Sequence, residues 1–137
     1  TKNIIEKVAE TLSMSFIRVM EVASFYSMFN LEPVGKNFIQ ICRTTPCWLR
    51  GSDKLLEVAK NVTGCNLGET SKDDKFTLVE VECLGACCNA PMIQINDDYY
   101  EDLTEENFKH LLLKLKENEK ISTGSQIGRQ SSEPKRK

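Results

Sequence analysis

The chain has 137 residues, 40% hydrophobic and 28% charged, with a net charge of -2. That is the make-up of a globular chain with room for one domain and a true core, and it excludes a low-complexity or largely disordered protein. The near-neutral balance leaves no electrostatic footprint for nucleic acid, and no apolar run approaches the roughly 20 residues that span a bilayer, so neither nucleic-acid binding nor direct membrane insertion is expected.

The chain opens on Thr1 rather than Met, and its first helical pattern begins mid-period. We therefore expect a processed form or a fragment, with further helix and any targeting segment upstream. Residues 1–31 read as a helical arm, a truncated bundle. Ile4, Ile5, Val8 and Leu12 make one apolar stripe; after a break at Ser13-Met-Ser15, a second runs through Phe16, Val19, Met20, Ala23 and Tyr26. Ser13 or Ser15 is placed to cap the second helix. The stretch Phe25-Tyr-Ser-Met-Phe29 suits either a docking surface or packing on the domain's own core, and the second reading is preferred.

A second domain is expected over 32–117. Glu32-Pro-Val-Gly-Lys36 is a turn before the strand Asn37–Cys42, apolar at 38, 39 and 41. The spacing predicts a helix from about Ser52 to Val62, with Leu55, Val58, Ala59 and Val62 on one face and Gly64 as its stop. Gly68–Lys75 is polar loop, and Phe76–Glu82 alternates as a strand. Met92–Asn96 is a short strand that Asp97-Asp98 turns back toward Tyr99-Tyr100 as a hairpin. Thr104 caps a final helix with Phe108, Leu111, Leu112 and Leu115 as its buried stripe; Glu105 and Glu106 at its start and Lys114 and Lys116 at its end both suit the helix dipole. The order β-α-β then β-β-α describes an α/β fold of thioredoxin-like type with a four-stranded mixed sheet: a parallel pair from the crossover, and antiparallel strands from the hairpin. Residues 118–137 form a polar tail, basic at Pro134-Lys-Arg-Lys137, expected to be extended unless a partner orders it.

Chemistry concentrates in four of the six cysteines. Cys42 and Cys47 stand in a C-x4-C loop after the first strand of this domain, and Cys83 and Cys87 in a C-x3-C loop after the second. If the fold sets those strand ends together, four thiolates meet, and they repel one another unless a cation or an iron–sulfur core holds them. Thr44, Thr45, Gly51, Gly85 and Ala86 offer small or hydroxyl-bearing positions whose N–H groups can approach sulfur, while Pro46 and Pro91 stiffen the loops, Pro91 being taken as trans. No Cys-x-x-Cys occurs, which argues against thioredoxin-type redox chemistry. Spacing alone leaves open a [2Fe–2S] cluster, structural zinc, and a disulfide or plain packing. Iron–sulfur is preferred, because zinc clips commonly use C-x2-C knuckles.

The stretches Cys42-Arg-Thr-Thr-Pro-Cys-Trp-Leu-Arg-Gly-Ser52 and Val81-Glu-Cys-Leu-Gly-Ala-Cys-Cys-Asn-Ala-Pro-Met92 resemble the two cluster loops of the small [2Fe–2S] subunit family of NADH:ubiquinone oxidoreductase, respiratory complex I. The likeness extends to Glu21–Phe29, Gly68-Glu-Thr70, Gln94–Thr104, Gly128-Arg129 and Ser132-Glu-Pro134. The resemblance implies a thioredoxin-like ferredoxin domain that ligates one [2Fe–2S] cluster through Cys42, Cys47, Cys83 and Cys87. It also implies docking beside a larger flavoprotein subunit that carries FMN and NADH, and contact with other subunits of the complex. The implied location is the matrix side of the mitochondrial inner membrane, with the bacterial cytoplasmic face as the alternative. No glycine-rich dinucleotide turn follows a strand here, so NADH is assigned to the partner. Related subunits serve NAD-linked hydrogenases and formate dehydrogenases. The competing reading is a zinc-stabilised thioredoxin-like assembly adaptor without redox activity; a third is a thiol–disulfide oxidoreductase using a pair among Cys83, Cys87 and Cys88.

Three positions depart from the family pattern. Arg43 stands where a small polar residue is usual, and a cation there should favour the reduced, more negative cluster. Cys88 replaces an aliphatic residue, as a small buried hydrophobe or, less simply, a spare ligand. Cys65 reads as an unused thiol. No catalytic residue is assigned: His110, the one histidine, lies off the stripe of the last helix and has no partner for acid–base work. Trp48 suits shielding of the cluster or core packing equally. Asp97, Asp98, Glu101 and Asp102 read as a solvated acidic face.

Overall fold

In this computed structural model, which describes residues 1–132, the chain divides into two units, Thr1–Val34 and Gly35–Lys137. The first is a pair of helices, α1 (Lys2–Leu12) and α2 (Phe16–Phe25). Ser13 adopts a left-handed conformation (φ 52°) that stops α1, and Ser15, extended, starts α2 by its backbone with no bond from its hydroxyl to the helix. On α1 the buried residues are Ile5 and Ala9, while Ile4 and Leu12 are exposed. The stripe is narrower than its periodicity suggests, because a single partner helix covers one side. Phe16, Val19, Met20 and Ala23 of α2 are half-buried. The aromatic stretch is not core: Phe25 is 80% exposed and Met28 78%.

In the second unit, strand β1 (Asn37–Cys42) is central. It pairs in parallel with β3 (Phe76–Val81) and antiparallel with β4 (Ile93–Ile95), which pairs antiparallel with β5 (Asp98–Glu101). These four are the expected mixed sheet. The sheet has six strands rather than four, in the order β2-β3-β1-β4-β5-β6, because β2 (Glu69–Thr70) and β6 (Gly124–Ser125) extend its edges. Two-residue strands hold no alternation from which to be read.

The parallel β1–β3 pair needs a crossover, and helix α4 (Ser52–Thr63) supplies it. Gly51 (φ 96°) precedes α4 and Gly64 (φ 72°) ends it, both left-handed as glycine permits. Helix α5 (Glu105–Lys116) starts with a reciprocal capping box: the Asn107 N–H donates to Thr104 Oγ1 at 3.2 Å, and the Thr104 N–H donates to Asn107 Oδ1 at 2.7 Å. Leu55, Leu56 and Ala59 of α4 and Phe108, Leu111 and Leu112 of α5 join Ile39, Ile41, Phe76, Leu78, Ile93 and Ile95 of the sheet in one core. His110 is exposed, in keeping with its place off the buried stripe.

Beyond α5 the sequence suggests only an extended tail. In the structure β6 pairs with β5, and residues up to Ser132 are tied to the end of that strand. The acidic residues there are not a solvated face: Glu101 is fully buried and Asp102 nearly so, and the polar residues of the segment satisfy them. The Pro134–Lys137 end lies outside the described residues. Among those described, no helix is long and apolar enough to cross a membrane.

Candidate metal centre

The register of the parallel pair decides where the cysteines meet. Cys42, the last residue of β1, lies beside Val81, the last residue of β3, and the Arg43 N–H continues the ladder to the Val81 carbonyl at 3.3 Å. Cys83 follows two residues on, so both cysteine loops leave the same end of the sheet. The first is not irregular throughout: Thr45–Leu49 forms a short helix, α3, with Pro46 in its first turn, and it carries Cys47 inward. The second turns at Gly85 (φ 82°) into a single 3-10 turn, Cys87–Asn89. The Ala90–Pro91 bond that closes it is cis rather than trans.

Cys42 and Cys47 are buried, each about 1% exposed; Cys83 and Cys87 are exposed, with their sulfurs 3.4 Å apart. Burial pushes the Cys47 thiol up to about 12; the Met92 N–H bonded to its sulfur pulls the other way, and Cys42 and Cys87 push it higher. The Gly85 N–H, donating to Cys83 Sγ at 3.4 Å, lowers the Cys83 thiol, helped by Cys87 and Thr44. Cys87 is raised, first by Cys83 and then by desolvation, and also by the charge of Cys42. The charges of Cys42 and Cys87 thus act on members of the opposite pair. Ala86, Ala90 and Met92 are buried with Cys42 and Cys47 as an apolar wall, and Leu84 and Tyr99 pack on it.

The donor set fits a two-iron core. All six cysteines are free. Among the described residues no three His, Cys, Asp or Glu side chains are placed to hold a single metal ion. The thiols stand as two pairs, and a [2Fe–2S] core takes two thiolates on each iron.

The other two cysteines lie apart. Cys65 is buried with its sulfur 3.0 Å from Thr63 Oγ1. Cys88 is exposed, not a buried hydrophobe, and its sulfur lies 3.3 Å from Ser132 Oγ. Trp48 is 54% exposed, so core packing does not account for it. Arg43 bridges two elements, donating to Glu80 on β3 at 2.8 Å and to Asp53 in the first turn of α4. Those two hydrogen bonds hold its guanidinium pKa above the usual value.

Several supporting groups escaped sequence reasoning. Tyr99 Oη donates to the Leu84 carbonyl at 2.7 Å and so braces the second cysteine loop from β5. Asn89 Nδ2 donates to Glu101 and to the Gln130 carbonyl, and Arg129 Nη2 to the Cys88 carbonyl. These pairs are separated by up to 41 residues in sequence, and no local pattern announces them.

Comparison with known proteins identifies the family. Residues 1–116 match the family described as thioredoxin-like [2Fe–2S] ferredoxin. An NADH-quinone oxidoreductase subunit of Rickettsia bellii is 59% identical over 112 residues, 82% of this chain and 67% of that protein. The mitochondrial NADH dehydrogenase [ubiquinone] flavoprotein 2 of Dictyostelium discoideum is 51% identical over 128 residues, 93% of this chain. The chain spans about two thirds of the length of the Rickettsia proteins and 52% of the Dictyostelium one. Two solved structures share the fold at 18% identity. An NAD+-reducing [NiFe]-hydrogenase aligns at a TM-score of 0.77, over 85% of this chain and 20% of that one. The thioredoxin-like [2Fe–2S] ferredoxin of Aquifex aeolicus aligns at 0.52, over 70% of this chain and 99% of that one. The two cysteine loops, the fold that joins them and the match over residues 1–116 agree: this chain belongs to the thioredoxin-like [2Fe–2S] ferredoxin family.

Proposed function

We propose that the chain is the electron-transferring [2Fe–2S] subunit of an NADH–quinone oxidoreductase of the complex I type, with Cys42, Cys47, Cys83 and Cys87 as the cluster ligands. The observation that carries this is the exit of both cysteine loops from one end of the parallel β1–β3 pair. A bound [2Fe–2S] cluster supplies a one-electron store; the protein's part is to hold it still and to set its potential. Cys42 and Cys47 do the first from within the protein, shut off from water. Gly85 and Met92 do the second, because N–H donors to sulfur stabilise negative charge there. The exposed pair, Cys83 and Cys87, brings the cluster to the surface, where a donor can approach.

The partner is a larger flavoprotein subunit that binds FMN and NADH, within an assembly of further subunits. The names of the Rickettsia and Dictyostelium relatives support membership of a multi-subunit NADH dehydrogenase, and the Dictyostelium one a mitochondrial home; within it the proposed place is the matrix side of the inner membrane, the bacterial cytoplasmic face being the alternative. The test is low-temperature EPR on anaerobically purified, dithionite-reduced protein, with iron, sulfide and zinc assayed on the same sample. A rhombic S = 1/2 signal with equal iron and sulfide is the expected result. Zinc without a signal, even after attempted reconstitution, overturns the reading in favour of an assembly adaptor.

A further inference from the structure

The family match ends at Lys116, yet the segment after it is built into the site. Residues Gly124–Ser132 run along the end of β5 and reach the second cysteine loop. At the root of this strap, β6 pairs with Tyr100 and Glu101. At its far end, the Ser132 N–H donates to both oxygens of the buried Glu101 carboxylate at 3.0 and 3.1 Å. Between them Arg129 is decisive. Its Nε and Nη2 grip the Asp102 carboxylate, and the same Nη2 donates to the Cys88 carbonyl at 3.0 Å. Burial works against the Asp102 charge, but the bonds from Arg129 and Ser125 hold its pKa below the usual carboxylate range.

The turn that carries Cys87 is short, with Cys87 and Cys88 exposed and only Asn89 buried, and three residues of 3-10 helix are a weak support. Its anchors come from outside. The Asp102 N–H donates to the Asn89 carbonyl at 2.8 Å, Arg129 holds the Cys88 carbonyl, and Asn89 Nδ2 is shared between Glu101 and the Gln130 carbonyl at 2.8 Å. Two of the three depend on the strap. On the assumption that Cys87 is a cluster ligand, we infer that Arg129 is a positioning residue: the strap locks the Cys87–Asn89 turn, fixing the Cys87 sulfur against Cys83 and slowing loss of the cluster.

The experiment compares full-length wild type with Arg129→Gln, Arg129→Lys and Gly124→Ala. The last opens the strap away from the cysteines, since Gly124 has φ 80° and an added Cβ would lie 2.0 Å from Ser131 Oγ. Readouts are the EPR g-values of the reduced cluster, the half-life of iron release to a chelator, and hydrogen exchange of the 83–92 segment in loaded and metal-free protein. Arg129→Gln and Gly124→Ala should shift the g-values, shorten the half-life about tenfold, as loss of groups that orient metal ligands commonly does, and speed exchange of the segment in both states. Arg129→Lys should recover only part, because one ammonium cannot span carboxylate and carbonyl as the planar fork does. Wild-type g-values, half-life and exchange in Arg129→Gln and Gly124→Ala overturn the inference. So does a pattern in which Arg129→Lys matches wild type and Gly124→Ala has no effect, which would make the role one of charge. A wild-type chain that takes up no iron and sulfide fails the [2Fe–2S] reading instead, and exchange in the metal-free protein still reports whether the strap holds the turn.

Discussion

Four thiols of one chemistry are made unequal by where the backbone puts them. In metal-free protein, Cys83 has its pKa lowered by the Gly85 N–H, so at a given pH more of it is thiolate. Cys87 is raised by Cys83, and Cys47 is pushed up to about 12 by burial. Iodoacetamide at about pH 8 should therefore label Cys83 ahead of Cys87 and leave Cys47 untouched, as followed by peptide mass spectrometry; equal labelling would contradict the order. The same shift sets the pH dependence of loading. On the proposed ligand set, Cys47 must lose its proton to bind iron, and burial raises its pKa, so cluster assembly should improve as pH rises from neutral into the mildly alkaline range, not as it falls. Arg43 is a second case. Its charge lies one residue from Cys42 but is shared by Glu80 and Asp53. Arg43→Thr removes a cation and leaves two carboxylates, which disfavours adding an electron. The midpoint potential should fall in an EPR-monitored redox titration; a rise would refute the electrostatic account. The sequence showed the charge next to the proposed ligand Cys42, while its two acidic partners, 10 and 37 residues away, were invisible there.

At the level of elements, legibility followed length and local chemistry. Helix α4 was readable because an apolar face and two glycines mark it, and α5 because Thr104 and the charged ends do. The Thr104 cap is expected to be worth about 1 kcal/mol. Thr104→Ala should lower the free energy of unfolding by that amount in urea titrations while leaving the cysteine loops intact; an unchanged value would mean that tertiary packing alone holds α5. Helix α3 and strands β2 and β6 were not readable. An element of two to five residues completes no more than about one period, so nothing distinguishes it from loop until neighbours supply its bonds. Cys47 is buried because α3 forms, and α3 sits inside what reads as a stiff loop around Pro46.

For the whole molecule, the division into Thr1–Val34 and Gly35–Lys137 falls where no helix or strand occurs, from Tyr26 to Lys36. Phe25, Tyr26, Met28 and Phe29 are all exposed beside that link. Limited chymotrypsin digestion should cut there first and release a stable fragment beginning near Gly35; first cuts within β1 to α5 would be inconsistent with two units. Composition, periodicity and the two cysteine motifs determined by themselves the order of the main elements, the central four strands, the four candidate ligands and the family resemblance. All of these rest on patterns within a few residues of one another. Tertiary structure alone decided which face of α1 is buried, the cis bond at Pro91, the unequal burial of the two cysteine pairs, and the return of the C-terminal segment to Glu101, Asp102 and the Cys88 carbonyl. Those depend on what comes near in space across tens of residues, and hydrogen bonds and burial between distant segments leave no period in the chain.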